Sequence, residues 1–201
     1  NYARLVNPFI GTDGHGHTFP GPSRPFGMMQ LSPDTRLEGW DGCSGYHYSD
    51  TLLYGFSHTH LSGTGVADYC DVLLLPFTGS VQWKNTEYRT PFSHGTEQAH
   101  AGYYAVQLDK HAIKAELTTA DRSGMHRYRF QPGTTEGRLL IDLVHRDEVL
   151  DAALEVVNAY EVRGWRRSRS WAADQQLFFY IRFEQPVIRY ELAANDVAQH
   201  N

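Results

Sequence analysis

Two histidine pairs stand out among the groups that could do chemistry, His15-Gly16-His17 and His58-Thr59-His60. Residues i and i+2 of an extended segment face the same way, so each pair can aim two imidazoles at one point. Together they have the makings of a four-histidine metal site. No carboxylate follows the first pair in Thr18 to Ser23, and after His60 the next is Asp68. The stronger reading is that His15, His17, His58 and His60 hydrogen-bond the backbone of glycine-rich loops and hold them in place. No metal ligand is assigned to the chain on this reading.

The third group is Trp40-Asp41, flanked by Gly39 and Gly42 and followed by Cys43. Sugars pack their C–H faces on aromatic rings and satisfy their hydroxyls with Asp, Asn and His. This turn offers a ring and a carboxylate side by side. The same region holds Asp13, Asp34, Glu38, Asp41, Asp50, Asp68 and Asp71. An inverting glycosidase needs two carboxyl groups roughly 6.5–9.5 Å apart, and the spacing here singles out no pair. Asp34 follows Pro33 and reads as a turn residue; Asp71 opens the apolar run Val72 to Leu75 and reads as a structural hydrogen-bond partner. There is no Gly-x-Ser-x-Gly elbow, phosphate loop, dinucleotide fingerprint or His-Glu-x-x-His word. No catalytic residue is therefore assigned.

The elements that must position these groups fall into two styles. Of the 18 glycines, 12 lie at or before Gly79. Residues 6–79 thus read as loops and close backbone contacts, with strands at Gly27 to Ser32, Tyr54 to Thr59 and Val72 to Phe77. Residues 80–190 read as regular strands: Tyr103 to Asp109, Ile113 to Thr119, Met125 to Phe130, Arg138 to His145, Glu155 to Trp165 and Gln175 to Phe183. Ile113, Ala115 and Leu117 share one face. Asp147 to Leu154 is the one stretch that suits a short helix. Short strands without a long helical period define an all-β fold, an antiparallel β-sandwich with long glycine-rich loops. The tail Ala193 to Asn201 reads as a linker or a cut within a larger fold.

Bulk properties exclude several classes. The 201 residues carry a net charge of -5 and no long basic block. The run Arg163 to Arg169 reads as a solvated strand or turn, so a nucleic-acid partner is not expected. No apolar stretch is long enough to span a bilayer. The start of the chain has no signal-peptide pattern. Cys43 and Cys70 permit one disulfide without demanding it.

The early segment also resembles a known family. The residues that carry the likeness are Val6 to Thr12, Gly14 to Gly21, Pro25 to Met28, Gln30 to Arg36, Gly39 to Tyr48 and Gly55 to Gly65. In this order they are similar to the N-terminal domain of glycoside hydrolase family 92, the calcium-dependent exo-α-mannosidases. Ala115 to Thr119 and His126 to Tyr128 resemble it more weakly. The likeness implies that residues 1–201 are the N-terminal β-sandwich of a longer, secreted, periplasmic or cell-surface enzyme. It implies an inverting, α-1,2-mannosidase-like release of terminal α-linked mannose from glycans. It places the catalytic carboxylates and the main calcium ligands in a C-terminal (α/α)6 barrel that this chain lacks. Trp40, Asp41, Gly42 and Cys43 resemble a loop of the substrate pocket, and the chain alone is expected to be inactive. Its barrel-facing surface, left uncovered, is expected to self-associate. A stand-alone carbohydrate-binding module and a small His-rich metal-binding sandwich are the rival readings. Val66 to Asp71 departs from the family's usual Cys-Gly-Asp-Leu-Gly-Asp, with Ala67 and Cys70 in place of glycine.

Overall fold

A computed structural model describes residues 2–194 and 197–199. The chain is an antiparallel β-sandwich. One sheet has the order β1-β3-β4-β10, from β1 (Ser32–Asp34), β3 (Gly55–Ser57), β4 (Leu73–Phe77) and β10 (Arg138–Asp142). The facing sheet is the meander β6 (Gln98–His100), β7 (Tyr103–Leu108), β8 (Ile113–Thr119) and β9 (Gly124–Arg129). Between them the strands β2 (Leu52–Leu53) and β5 (Thr90–Pro91) pair separately. A third sheet joins β11 (Glu148–Asn158), β12 (Glu161–Arg169) and β13 (Gln175–Arg182).

Alternation builds the core. Ile113, Ala115 and Leu117 of β8 point inward beside Tyr104, Val106 and Leu108 of β7. They meet Phe56, Leu73, Leu75 and Leu140 of the opposite sheet, and Leu31 and Leu53 close the ends. Outside, Glu116 accepts two hydrogen bonds from Arg127 across the β8–β9 ladder. The period-2 pattern is thus satisfied on both faces.

The expectations for the later strands agree with the structure within a few residues, apart from two corrections. Asp147 to Leu154 forms no helix; it opens β11. A register shift between Val149 and Asp151 marks a bulge at Leu150. The bulge breaks the alternation, so the apolar residues take a spacing that imitates a helix. Nor is Glu155 to Trp165 one strand. It is a hairpin, β11 to β12, turning at Ala159 and Tyr160. Asn158 makes the turn through its own side chain, accepting from Tyr160 N at 2.8 Å, and no glycine or proline announces it.

The early segment differs more. Gly27 to Ser32 is not a strand. Phe26 has a left-handed φ of 62°, and the amides after it bond outward: Met28 N to Asp121 O at 2.7 Å, Gln30 N to His58 O at 3.0 Å and Leu31 N to Pro22 O at 3.2 Å. Ladder pairing begins only at Ser32. In the tail, read as a linker or a cut within a larger fold, β14 (Leu192–Ala194) pairs antiparallel with β15 (Val197–Gln199). Asn195, Asp196, His200 and Asn201 of that tail lie outside the described residues.

Candidate functional site

Trp40 projects from the loop layer with 59% of its surface exposed, so it is not a core ring. The backbone around it leaves little freedom. Gly39 has φ 90°, and Cys43 N returns to Trp40 O at 3.2 Å. Gly42 packs so closely under the Arg36 stem that a Cβ there would overlap it. Gly65, at φ +67°, lies beneath the indole, where an added Cβ would stand 3.1 Å from Trp40 Nε1. The second loop of the layer is thereby pressed against the first.

The histidines divide their work. His17 meets the Trp40 ring edge-on, with centroids 4.2 Å apart. His15 lies 5.7 Å from the same ring and contacts Asp41 Oδ1 through Nδ1 at 2.8 Å. That hydrogen bond holds the Asp41 carboxyl below its usual range, with the nearby imidazole charge assisting. His17 Nε2 is buried without a partner. An exposed ring and an ionised acceptor thus share one surface, with the His17 nitrogen beneath it. His58 and His60 are elsewhere. His58 contacts Val72 O through Nδ1 at 2.6 Å and His126 Nε2 through Nε2 at 3.0 Å. His60 contacts Gln30 O and Asp34. The structure does not assemble the two pairs into a four-histidine centre.

The rest of the Trp40 turn shapes it from below. Gly42 is buried, and Cys43 keeps only 2% of its surface exposed. Burial raises the Cys43 thiol pKa, and its carbonyl accepts from Arg146 at 3.1 Å. Of the four residues expected to meet a sugar, Trp40 is exposed and Asp41 half-buried, while Gly42 and the side chain of Cys43 are buried. Both cysteines are free and buried.

Other groups escaped the sequence reading. Asp34 is not a turn residue: it is fully buried in β1, facing His60 Nε2 at 2.7 Å and His145 Nε2 at 3.0 Å. Its burial would raise the carboxyl, yet these imidazoles hold it well below the ordinary range. Arg166 corrects the picture of a solvated arginine run. It is buried, pairs with Asp71, donates to Arg146 O and Leu143 O, and reaches Ser168 Oγ at 3.1 Å. Arg163, Arg167 and Arg169 do face solvent, on Glu155, Asp174 and Glu148. His47 braces the first loop by contacting Gly14 O at 3.0 Å. Trp171, 77% exposed, sits on a loop that Asp68 holds through Ala172 N. Only the exposed aromatic type could have flagged Trp171. Nothing local flags Asp34 or Arg166, whose partners are remote in sequence.

The fold is a β-sandwich that raises an exposed ring and a carboxylate on glycine loops. The comparisons make this specific. The family model "Glycosyl hydrolase family 92 N-terminal domain" matches residues 5–201, and the chain belongs to that family. A family GH92 alpha-mannosidase from Bacteroides thetaiotaomicron, solved with mannoimidazole, superposes with a TM-score of 0.86 at 36% identity, over 92% of this chain and 26% of that one. An inverting GH92 mannosidase from Bacteroides thetaiotaomicron VPI-5482 superposes with a TM-score of 0.84 at 26% identity, over 99% of this chain and 27% of its own. Among curated proteins, an uncharacterized secreted glycosidase of Arthroderma benhamiae is 27% identical over 158 residues, covering 74% of this chain and 20% of the relative. The chain thus spans about a quarter of these relatives' length or less. Among the described residues no helix is long and apolar enough to cross a membrane.

Proposed function

We propose that this chain forms one wall of the sugar pocket of an inverting exo-α-mannosidase acting on terminal α-linked mannose. The observation that carries the reading is the exposed Trp40 ring, fixed by His17 and Gly65, beside an Asp41 carboxylate held by His15. Trp40 packs against the C–H face of the sugar, and ionised Asp41 accepts from its hydroxyls. The acid and the base of inversion come from a catalytic domain joined to this one, one on each side of the anomeric carbon. The mannosidase activity of the solved relatives supports this assignment. Phe178, Tyr180 and Trp171 are exposed on β13 and its preceding loop and suit burial against such a domain. A secreted setting agrees with the curated relative.

Calcium belongs to this reading only through the partner domain. It takes six to eight oxygen ligands. Among the described residues, the one cluster of three or more acidic, histidine and cysteine groups is Asp34, His60 and Cys70, whose nitrogen and sulfur donors do not fit that ion. Asp41 is a single carboxylate already engaged by His15.

The test is Trp40→Ala in the enzyme that joins this chain to its catalytic domain. With an aryl α-mannoside, kcat/KM is expected to fall at least about tenfold, the loss of roughly one ring–sugar contact. The 201-residue chain alone is expected to show no turnover. Unchanged kcat/KM in the variant overturns the pocket role, and turnover by the chain alone overturns the division of labour.

A further inference from the structure

The sheet β1-β3-β4-β10 has two ends, and the Trp40 turn occupies one of them. β10 runs antiparallel to β4, with Asp142 opposite Leu73 and Arg138 opposite Phe77. Arg146, which follows the Asp142 end, holds the Trp40 turn through Cys43 O, and Gly65 under the indole precedes the Leu73 end. The Phe77 end points the other way. Three connections meet there: the segment after β4, the turn Asp109–His111 between β7 and β8, and the loop between β9 and β10. They enclose two adjoining hollows of about 470 and 260 Å³ that share Thr78, Gly79 and His111. The larger falls within the usual range of small-molecule sites, about 300–1,000 Å³.

The lining combines an apolar side with polar groups that nothing else engages. In the smaller hollow Phe77, Tyr88 and Leu140 are the apolar side. Tyr88 gives its hydroxyl to Asp142 at 2.7 Å, so it contributes ring rather than donor. His111 joins the two hollows. Its ring meets Phe77 edge-on at 6.3 Å, and its Nδ1 accepts from Thr78 N at 3.3 Å. That bond puts the ring proton on Nε2, and among the described residues Nε2–H has no protein partner. Burial, with the Lys110 charge assisting, lowers the His111 pKa, so the ring is neutral at neutral pH. Among the described residues, the side chains of Lys110, Gln131, Thr134 and Thr135 likewise have no hydrogen bond or ion pair. Glu136 is the one carboxylate of the lining, and Arg138 engages it at 2.8 Å.

We propose that this cleft binds a neutral pyranose unit of a glycan, at the end of the sheet opposite the Trp40 turn. The lining selects that class. A pyranose has an apolar C–H face for the Phe77 side and a ring of hydroxyls that both donate and accept. His111 Nε2–H and the Lys110 ammonium donate, while the Gln131 amide and the two threonine hydroxyls do both. An anion has less to gain, because the cleft offers one ammonium and Glu136 stands in the same lining. A wholly apolar ligand would leave the donors unpaired. The rim is low, with Gly79 and Gly133 exposed and no atom within 4 Å of a Cβ built on either. An open rim suits the end of a sugar chain or branch. The site does not depend on Trp40 meeting a sugar. Mannose is the probe of choice because the solved relatives are mannosidases.

The experiment is a proton–nitrogen NMR titration of the labelled chain with methyl α-D-mannopyranoside. The amide signals of Thr78, Lys110, His111 and Gln131 are expected to move together. The expected dissociation constant is about 1 mM, because the contact is open and buries no charge pair. His111→Phe keeps a ring beside Phe77 and removes the donor, and Gln131→Ala removes an exposed amide without touching the core. Each is expected to weaken binding about fivefold, the loss of one hydrogen bond. Signals of the Trp40 loops, read in the same spectra, report any sugar at that wall separately. Cleft signals that stay fixed overturn the proposal, whether or not the Trp40 signals move. So does full affinity in both His111→Phe and Gln131→Ala. Inorganic phosphate that moves the cleft signals where the mannoside does not overturns it too, in favour of an anion.

Discussion

Residues 6–79 and residues 80–190 are ordered by different forces. In the second region, the buried residues of β7 and β8 are mainly apolar: Tyr104, Val106, Leu108, Ile113, Ala115 and Leu117. In the first, many buried groups are polar: Thr12, Ser32, Asp34, Ser57, His60, Asp68 and Asp71. The loops cannot pair their backbones in long ladders, so side chains take over that task. Asp71 accepts from Thr59 Oγ1 and Gln175 Nε2 and pairs with Arg166, tying two loops to the third sheet. Glu97 accepts from Tyr46 and Tyr104 at 3.0 and 2.5 Å and pairs with His94, tying a loop to the second sheet. Irregular backbone is thus held by side-chain bonds that span the sequence. The cost of such a design is that a single lost partner strands a buried charge.

The sharpest way to break this comparison is Asp71→Ala. It leaves Arg166 buried and uncompensated, and the expected loss of stability is about 4 kcal/mol, read from urea unfolding. Adding Arg166→Met should recover part of that loss, because the double variant buries no lone charge. Leu117→Ala tests the other region and is expected to cost about 3 kcal/mol through lost burial and a residual cavity. If Asp71→Ala is the milder of the two, the loop layer is not held by its charges and the contrast fails.

Acid sharpens the comparison next. His126 on β9 is half-buried between Phe56, Tyr128 and His58, and both desolvation and the His58 ring lower its pKa well below the ordinary value. Burial likewise lowers His58, to about 4. Below an unfolded value of about 6.5 the unfolded chain takes up protons that the native one refuses. Stability should therefore fall as pH drops from 6.5, by up to about 1.4 kcal/mol per pH unit from His126 alone. His126→Gln should flatten that slope between pH 6.5 and 5. An unchanged slope would place the acid sensitivity elsewhere.

The legible part of the molecule was the part built from local rules. Ile113 to Thr119 is found as read, because its alternation is uninterrupted and His111 and Ala112 turn the chain just before it. β11 was misread because the bulge at Leu150 shifts its alternation, and its hairpin because Asn158 turns the chain without glycine. In the candidate site, Trp40 and Asp41 were legible as a ring and an acceptor in one glycine-flanked turn. The partners of Asp34 and Asp71 were not: His145 and Arg166 lie 111 and 95 residues downstream. No pattern of charge or spacing connects groups whose meeting depends on how three sheets pack.

Trp40→Ala makes the smallest expected change in stability and isolates the surface from its supports. The ring is 59% exposed, and its main contact is the edge of His17. Surface substitutions of this kind stay within about 0.5 kcal/mol. The urea midpoint should therefore barely move, whatever the variant does to mannoside turnover. A large drop in stability would mean that Trp40 clamps the first loop to Gly65 instead of waiting for a ligand. The two regions would then differ less than their buried residues suggest, because an aromatic staple would be doing in the loops what leucines do in the sheets.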